Sequence, residues 1–355
     1  MKANKPDDKN YRIWLQRKLD HINTFLESND GPGTNGLEDI IIPHQALPGL
    51  SWDDVITEVS LFKKQLRMPL IINALTGGPP ETLKINASLS EVARETGIAM
   101  AVGSQSIAIK HPYLDESFKI VRRVNPDGLI IANVAANVAP DIALQAVDML
   151  QADALQLHLN TAQELFMEEG DRDFSEIEKN IARIIEISPV EVIVKEVGFG
   201  ISKETAKKLF SLGVFWIDVG GSGGTNFIDI ESKRYKKRLL EPPVEWGIPT
   251  AASLLEVKDV ASSINMIASG GIRTALDVIK CFALGASAVA IAGPFLQLIK
   301  NEGKEDLIEY ICQLQEDIKR LMLLSGVKNP IEMQKVDIII SGKLREWQLQ
   351  RKLQK

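Results

Sequence analysis

Apolar and polar positions along the chain follow two alternating periodicities. Short, mainly apolar runs predict eight buried β-strands, at 69–78, 98–106, 128–134, 154–159, 191–198, 214–224, 264–271 and 286–293. Helical spacing follows each run and predicts helices near 81–96, 115–124, 141–150, 175–187, 203–212, 251–262, 274–284 and 295–300. Eight such units without a break in composition favour an α/β fold, a (β/α)8 TIM barrel, over the alternative of a doubly wound sheet.

Two segments extend this predicted barrel of residues 69–302. Residues 1–68 form an N-terminal arm, in which Tyr11–Leu26 has the apolar spacing of a helix. The basic side of that helix consists of Arg12, Arg17, Lys18 and His21. It is interpreted as a lid over the barrel mouth, with a solvated basic face as the alternative. The pattern of residues 303–355 predicts a charged helical extension, which packs on the barrel or on a neighbouring subunit.

Composition and charge limit the classes of function. The chain has 355 residues, of which 45% are hydrophobic and 25% charged, so it can bury a large core. Its net charge of −6 gives no general attraction to nucleic acid or to an anionic membrane, and an anionic substrate therefore needs a local basic cluster. Cys281 and Cys312 lack metal-ligand spacing. Since neither a long apolar span nor the apolar core of a signal peptide occurs, we expect a cytoplasmic protein without nucleic-acid or membrane partners.

The fourth predicted strand becomes densely polar where it ends. His158, Asn160, Gln163 and Glu164 lie within seven residues of one another. Polar residues at the C-terminal ends of barrel strands commonly form active sites. A carboxylate and carboxamides beside an imidazole could hold a cation together with a phosphorylated group. A solvated loop, in which the amide side chains cap a turn, is the alternative.

Glycine-rich turns follow most of the predicted strands, and those after the seventh and eighth strands each begin a helix. Backbone amides at helix N-termini bind anions, and barrels often hold phosphate at these two loops. The amides predicted to do so belong to Gly270, Gly271, Ile272, Arg273, Ala292 and Gly293. The Arg273 side chain would add a charged contact. Tight turns without a ligand are the alternative, but two adjacent turns of this kind favour phosphate.

Lys195 lies inside an otherwise apolar strand, where an unpaired ammonium group would be costly. It either pairs with Glu196 or Asp218, or points into the barrel mouth towards an electron-rich cofactor. A reduced flavin fits this position, because a nearby cation stabilises its anionic ring. The flavin's other predicted partners are Thr76, Ser104, Asn133 and Thr225. A Schiff-base lysine is the less favoured alternative, since no other residue points to that chemistry.

Ordered motifs along the chain carry a family resemblance. They are RKLDHI (17–22), NALTGG (73–78), VGSQ (102–105), QLHLNTAQE (156–164), GDRDF (170–174), VKEVGFGIS (194–202), DVGGSGGTNF (218–227), IASGGIR (267–273) and IAGP (291–294). With them the sequence resembles the type 2 isopentenyl diphosphate isomerases, a flavin-dependent family, from about Arg17 to Pro294. The SGGIR motif alone is weak, because many FMN barrels have a similar one.

The resemblance implies an FMN-bound barrel that interconverts isopentenyl and dimethylallyl diphosphate. It also implies reduced FMN as an acid–base cofactor, Mg2+, and NAD(P)H as the reductant, without net redox change. Homo-tetramers and homo-octamers are the assemblies that it implies. Leu75 stands where the family commonly has methionine, and the N-terminal arm is longer than is usual there.

Roles for individual residues follow from the same resemblance. Arg17 and Lys18 would bind the diphosphate, and Glu164 would hold Mg2+. Three residues would face the substrate, namely His158, Asn160 and Gln163. Of these, Gln163 and His158 are the predicted catalytic residues, and Gln163 would position or relay a proton. The predicted FMN contacts are Ala74, Leu75, Thr76, Ser104, Asn133, Lys195, Thr225, Gly271, Ile272, Arg273, Ala292 and Gly293.

Two alternatives of other kinds remain. One is another FMN-dependent barrel oxidoreductase, such as a 2-hydroxy-acid oxidase, which needs a histidine base near an arginine late in the barrel. The four histidines here are residues 21, 44, 111 and 158, all in the first half of the chain. The other is an inert flavin- or phosphate-binding barrel, which would have no use for the polar cluster after the fourth strand.

Overall fold

The computed structural model describes residues 9–27, 31, 33–234 and 245–354. Eight parallel strands in this part of the chain close into a barrel. They are β1 (Leu70–Ile72), β2 (Ala99–Ala101), β3 (Ile130–Ala135), β4 (Ala154–Leu159), β5 (Glu191–Glu196), β6 (Trp216–Asp218), β7 (Asn265–Ser269) and β8 (Ala286–Ile291). Each strand pairs with its neighbour in the sequence, and β8 pairs with β1 to close the ring. The predicted (β/α)8 fold is therefore confirmed.

Helices surround the barrel, and in the described part of the chain the eight predicted ones are observed together with three that were not predicted, Ser106–Lys110, Thr161–Phe166 and Phe227–Arg234. Those between β1 and the end of the barrel are Thr82–Thr96, Ser106–Lys110, Glu116–Val124, Pro140–Leu150, Thr161–Phe166, Ile177–Ile187, Lys203–Ser211, Phe227–Arg234, Thr250–Lys258, Ala275–Ala283 and Gly293–Asn301. Two hydrophobic clusters result, one between strands and helices and one inside the barrel. Ile131, Ile193 and Ile267 belong to the inner cluster and fill the barrel below its mouth.

A β-hairpin that the sequence analysis did not predict covers the N-terminal end of the barrel. Its strands are Val59–Leu61 and Lys64–Leu66, and the turn residues Phe62 and Lys63 have φ angles of 47° and 65°. Positive φ at both central residues is the geometry of a type I′ turn, although that turn usually contains Asn or Gly. The Phe62 ring packs on Trp216 at 4.6 Å between centroids. The hairpin closes this end, so the barrel opens at the C-terminal ends of its strands.

The N-terminal arm and the C-terminal extension are joined by a short sheet. The arm contains the helix Lys9–Leu26, and its strand Ile40–Ile41 pairs antiparallel with Ile339–Ile340 of the extension. The helices of the extension are Lys304–Leu324, Pro330–Met333 and Gly342–Gln350. Single 3₁₀ turns occur at Leu37–Asp39, Trp52–Asp54 and Pro112–Leu114.

Some predicted features lie outside the described residues. The side chain of Arg12, part of the predicted basic side of the arm helix, is one of them. Residues 235–244, within the predicted insertion after the sixth strand, are another.

Candidate active site

Three adjoining cavities lie at the C-terminal ends of the strands. The first, here called the glycine cavity, is lined by Gly198, Gly220, Gly221, Gly224, Gly270, Gly271 and Gly293. The central cavity lies over the barrel mouth and has a volume of about 210 Å³. The outer cavity lies beyond the end of β4. Lys195 and Thr225 line both the glycine and central cavities, whereas Lys18, His158 and Gln163 line both the central and outer ones.

Two residues that line the glycine cavity, Gly271 and Ile272, have backbone N–H groups without an acceptor among the described residues. The Gly270 carbonyl accepts a hydrogen bond from the Thr250 hydroxyl at 2.6 Å, and the Gly271 carbonyl accepts one from the Asn35 side chain at 2.7 Å. In a trans peptide the following N–H points the opposite way. The N–H groups of Gly271 and Ile272 therefore point away from these partners, and within the described residues neither has an acceptor. Two such donors beside the N-terminus of the helix Gly293–Asn301 fit a phosphate group.

Close backbone contacts explain the glycines of this cavity. Gly271 has a φ of +70°, and a Cβ there would lie 2.3 Å from the Gly223 carbonyl oxygen. A Cβ on Gly224 would lie 2.6 Å from the Gly271 nitrogen. A side chain at either position would therefore force the two turns apart.

Arg273 lines the glycine cavity, as predicted, but its guanidinium group also braces the backbone. It donates to the Gly271 carbonyl and, at 3.3 Å, to the Gly223 carbonyl. The Arg273 carbonyl in turn accepts a hydrogen bond from the Tyr310 hydroxyl at 2.6 Å, which ties the turn to the C-terminal extension. Arg273 therefore joins the two glycine turns and adds positive charge to them.

The sequence left open whether Lys195 pairs with a neighbouring residue or points into the barrel mouth, and the structure shows both. Its ammonium group donates to the Glu196 carbonyl at 2.6 Å and lies 3.6 Å from an Asp218 carboxylate oxygen, while the residue lines the glycine and central cavities. Asp218 is fully buried and also accepts hydrogen bonds from Asn73, at 3.0 Å, and from Ser269. These contacts hold the lysine charge at the base of the cavity, where it could face an anionic ring.

The remaining predicted flavin contacts line the central cavity. They are Ala74, Leu75, Thr76, Ser104, Asn133, Thr225, Ala292 and Gly293. The Thr76 hydroxyl is buried and has no partner among the described residues, so it is available to a ligand. Ile272 and Arg273 line the glycine cavity instead, as does Gly271. The predicted set is thus shared between the glycine cavity and the central cavity.

His158 is held as a neutral imidazole. Burial, followed by the charges of Lys18 and Lys195, lowers its pKa to about 3. Its Nδ1 lies 2.9 Å from Asn133 Oδ1, and the Asn133 amide nitrogen donates to the Val102 carbonyl at 3.1 Å. With that amide orientation Nδ1 carries the proton, and Nε2 is left as an acceptor. The Asn133 side chain therefore orients the histidine, in addition to lining the central cavity.

Glu164 and its neighbours form the wall of the outer cavity. One Glu164 carboxylate oxygen accepts from the Asn160 amide at 2.7 Å, and the other accepts from the Asp171 N–H at 2.9 Å. Burial is the main cause that raises the pKa of Glu164. The described residues contain no group of three His, Cys, Asp or Glu side chains that could hold a metal. A single carboxylate suits Mg2+ if phosphate oxygens and water complete its coordination.

The arm helix brings basic residues over the mouth. Lys18 lines the central and outer cavities, and Arg17 lines the outer one. Arg17 lies 4.0 Å from Glu169. Burial and then the Arg17 charge lower the pKa of Lys18 to about 8.

Several cavity residues were not predicted from the sequence as site residues. The ones that line the central cavity are His21, Ile22, Phe25, Asn73, Phe227, Ile230 and Leu296. His21 contacts Glu231 at 2.7 Å, which joins the arm helix to the helix Phe227–Arg234. The sequence analysis placed His21 on the basic side of the arm helix, four residues after Arg17, but gave it no role of its own in the site. The apolar residues of the list carry no signal of their own, because in the sequence they cannot be distinguished from residues of the hydrophobic core.

The fold and this site define the class to which the chain belongs. A profile of the FMN-dependent dehydrogenase family matches residues 117–339. A solved structure of a mandelate oxidase variant with a monooxide FMN adduct has a TM-score of 0.65 and 18% identity, and covers 92% of this chain and 99% of that one. Mandelate oxidase with (S)-4-hydroxymandelic acid gives a TM-score of 0.65 at 16% identity, covering 93% and 98% of the two chains. At this identity the structures share the fold alone. The chain is a member of the FMN-dependent barrel proteins.

Curated relatives narrow the class to a family. The isopentenyl-diphosphate delta-isomerase of Moorella thermoacetica is 49% identical over 332 residues, which are 94% of this chain and 95% of that protein. Those of a Geobacillus species and of Listeria welshimeri are 45% and 42% identical, over 95% and 94% of this chain and 96% and 93% of theirs. The chain belongs to the isopentenyl-diphosphate delta-isomerase family.

Proposed function

We propose that this protein interconverts isopentenyl and dimethylallyl diphosphate, with reduced FMN as acid–base cofactor and without net redox change. The observation that carries the proposal is that the three cavities adjoin and share lining residues. An anion-binding turn lies at one end, and a basic and carboxylate cluster lies at the other, with Lys195 and His158 between them. Such a chain of sites suits a phosphorylated cofactor next to a diphosphate substrate.

The phosphate of FMN would bind in the glycine cavity. The N–H groups of Gly271 and Ile272 and the charge of Arg273 would hold it there. Lys195 and the unpartnered Thr76 hydroxyl would contact the ring or the ribityl chain in the central cavity. When bound, reduced FMN supplies an electron-rich ring face and an N5 that can carry a proton. NAD(P)H as its reductant is part of the proposal.

The substrate diphosphate would bind in the outer cavity. Lys18 and Arg17 would supply positive charge from the arm helix, and Asn160 would orient Glu164 through their 2.7 Å hydrogen bond. Glu164 would hold Mg2+ with one carboxylate, since Mg2+ commonly binds one or two carboxylates, phosphate oxygens and water. With the diphosphate in this position, the five-carbon group of the substrate would extend into the central cavity.

The chemistry moves a double bond through a species with carbocation character, so water must be excluded. Ile22 and Phe25 of the arm helix, with Leu75, Phe227 and Leu296, give the central cavity an apolar wall. Gln163 lines both this cavity and the outer one, where it would position the alkene or relay a proton. His158, neutral and oriented by Asn133, would fix the substrate without adding a competing positive charge.

The proposal includes an assembly of four or eight copies of this chain. Apolar side chains are exposed along the joined arm and extension, where Leu47 is 94% and Ile331 62% exposed. Exposed apolar side chains in such numbers often mark protein contacts. Light scattering after size exclusion would test the assembly, and a monomer would contradict it.

Location is a separate matter. Among the described residues, none of the helices has the length and apolar character needed to cross a bilayer. A place in the cytoplasm stays a prediction.

The proposed function is tested with purified protein, FMN, NADPH, Mg2+ and isopentenyl diphosphate under anaerobic conditions. We expect dimethylallyl diphosphate to form, and to stop forming when a chelator removes Mg2+.

Gln163→Leu should lower kcat by about 10²-fold or more, as expected when a group that assists proton transfer is lost. Glu164→Gln should raise the Mg2+ concentration needed for half-maximal activity. No product from the wild-type protein would contradict the proposal, and unchanged kinetics in either variant would remove that residue's role.

A further inference from the structure

A segment of the arm lies behind the glycine cavity, where nothing in the sequence pattern assigned it a role. Asn35 is its central residue and does not itself line the cavity. The Asn35 side-chain amide donates to the Gly271 carbonyl at 2.7 Å, and its Oδ1 accepts from the Leu37 N–H at 2.9 Å. The Asn35 carbonyl accepts from the Ala251 N–H at 2.9 Å. Both the backbone and the side chain of Asn35 are therefore fixed against the barrel.

The contact with Gly271 decides which way one peptide unit faces. Gly271 has a φ of +70°, and glycine can adopt several other backbone conformations at little cost. Asn35 and Arg273 both donate to the Gly271 carbonyl and fix its orientation, with Asn35 approaching from a side that does not line the cavity. Because the peptide is planar, the Ile272 N–H then faces the opposite way, into the cavity.

The fit between the arm and the turns is close. A Cβ on Gly223 would lie 2.3 Å from the Asn35 nitrogen, and a Cβ on Gly271 would lie 3.1 Å from the Asn35 Cβ. One residue further along the arm, Gly36 packs against helix Thr250–Lys258. A second backbone contact, from the Gly31 N–H to the Gly224 carbonyl at 2.9 Å, fastens the start of the same segment. The arm therefore supports both glycine turns from outside.

We propose that Asn35 is a positioning residue for the cofactor phosphate, because it orients the Gly271–Ile272 peptide so that its N–H meets the anion. The inference rests on the proposed binding of FMN in the glycine cavity and deepens it. It also gives the N-terminal arm two functions, since residues 17–21 lie over the substrate end while Asn35 supports the phosphate end.

The test compares two flavins that differ only in the phosphate. Flavin-free protein is titrated with FMN and with riboflavin, and the dissociation constants are read from the quenching of flavin fluorescence. Asn35→Ala should raise the FMN dissociation constant about tenfold, the loss expected for one hydrogen bond to a charged group. The riboflavin constant should stay unchanged, because the ring contacts lie in the central cavity. A merely structural role would weaken both flavins alike.

Asn265→Ala is the matched control. Asn265 begins β7, the strand whose other end leads to Gly271, and its side chain also donates to a backbone carbonyl, that of Phe215, at 3.4 Å. We expect this variant to bind both flavins as the wild-type protein does. If Asn35→Ala does not fold, Asn35→Ser replaces it, since serine can still accept from the Leu37 N–H but is too short to reach Gly271.

The outcomes separate this inference from the proposed function. Wild-type protein that binds riboflavin as tightly as FMN would show that the cavity does not hold the phosphate, and the proposed function would lose its phosphate site. The second outcome is that the wild-type protein binds FMN more tightly than riboflavin and that the Asn35 variant keeps the same preference. This result would overturn the inference about Asn35 and leave the proposed function intact.

Discussion

At Lys18, burial and the Arg17 charge lower the pKa of the ammonium group to about 8. The protonated form is the one that attracts a diphosphate, and a bound diphosphate raises that pKa again. Above pH 8 binding must therefore take up a proton. We expect the dissociation constant of the substrate diphosphate to rise about tenfold for each pH unit above 8.

Lys18→Arg provides the comparison for this pH dependence. Arginine stays charged up to a pH of about 12, so the variant's affinity should be flat between about pH 8 and pH 10. Calorimetric titration with inorganic pyrophosphate and Mg2+ measures both curves. Parallel curves for the two proteins would mean that Lys18 does not supply the charge.

His158 affects stability in the acid range. Its pKa is lowered to about 3, first by burial and then by the charges of Lys18 and Lys195. Below a pH of about 6.5 the unfolded chain binds a proton that the folded chain does not, so the free energy of unfolding falls by about 1.4 kcal/mol per pH unit. His158→Gln should remove this part of the acid sensitivity between about pH 6.5 and pH 5.

Chemical denaturation at several pH values measures the effect. The surface variant His44→Gln is the control, because His44 is exposed. The account of His158 is wrong if both variants lose stability with falling pH as steeply as the wild-type protein.

At the scale of elements, the C-terminal extension is fastened by a buried carboxylate. Arg351 donates to the two Glu256 oxygens at 2.8 and 3.0 Å, and Trp347 and the Lys203 N–H also donate to Glu256. Arg351→Met leaves this buried charge short of its cationic partner. We expect a loss on the order of 3 kcal/mol and a melting temperature lower by roughly 5 °C, with kcat unchanged.

The same extension offers a control for this prediction. Arg320 also makes two ion pairs, with Glu316 and Asp317, but all three side chains are more than two-fifths exposed. Arg320→Met should therefore lower the melting temperature much less than Arg351→Met does. Thermal unfolding of both variants measures the difference, and equal losses would contradict the role given to Glu256.

The sequence predicted the barrel elements closely, because their signals are local. The predicted helices at 81–96 and 203–212 are observed at Thr82–Thr96 and Lys203–Ser211, where apolar spacing and flanking turns mark both ends. The strand pair Ile40–Ile41 with Ile339–Ile340 was not predicted, since two residues show no periodicity and the partners are distant in sequence. The hairpin at 59–66 was missed because its turn residues are Phe62 and Lys63.

The candidate site was predictable to the extent that its chemistry follows barrel strands. His158 and Lys195 lie near the C-terminal ends of their strands and Gln163 lies in the helix that follows β4, and the structure brings all three to the central cavity. Asn35 carries no such signal, because its contact with Gly271 depends on how the arm folds back over 236 residues of sequence separation. Contacts of that kind are set by the tertiary structure and not by local pattern.

At the scale of the whole molecule, the arm, barrel and extension enclose one set of cavities. The hairpin closes the N-terminal end of the barrel, and the arm helix covers part of the C-terminal end. The extension contacts the glycine turn 270–273 through Tyr310, and the arm contacts it through Asn35. Both additions to the barrel thus act on the same site. This arrangement places the central cavity between the glycine cavity and the outer cavity.

The central claim is that the bound flavin is reduced once and then serves many turnovers without net electron transfer. The most direct measurement is the number of NADPH molecules oxidised per molecule of dimethylallyl diphosphate formed, under anaerobic conditions. The account predicts about one NADPH per bound flavin at the start, followed by many product molecules with no further NADPH loss. Oxidation of one NADPH for each product molecule would contradict it.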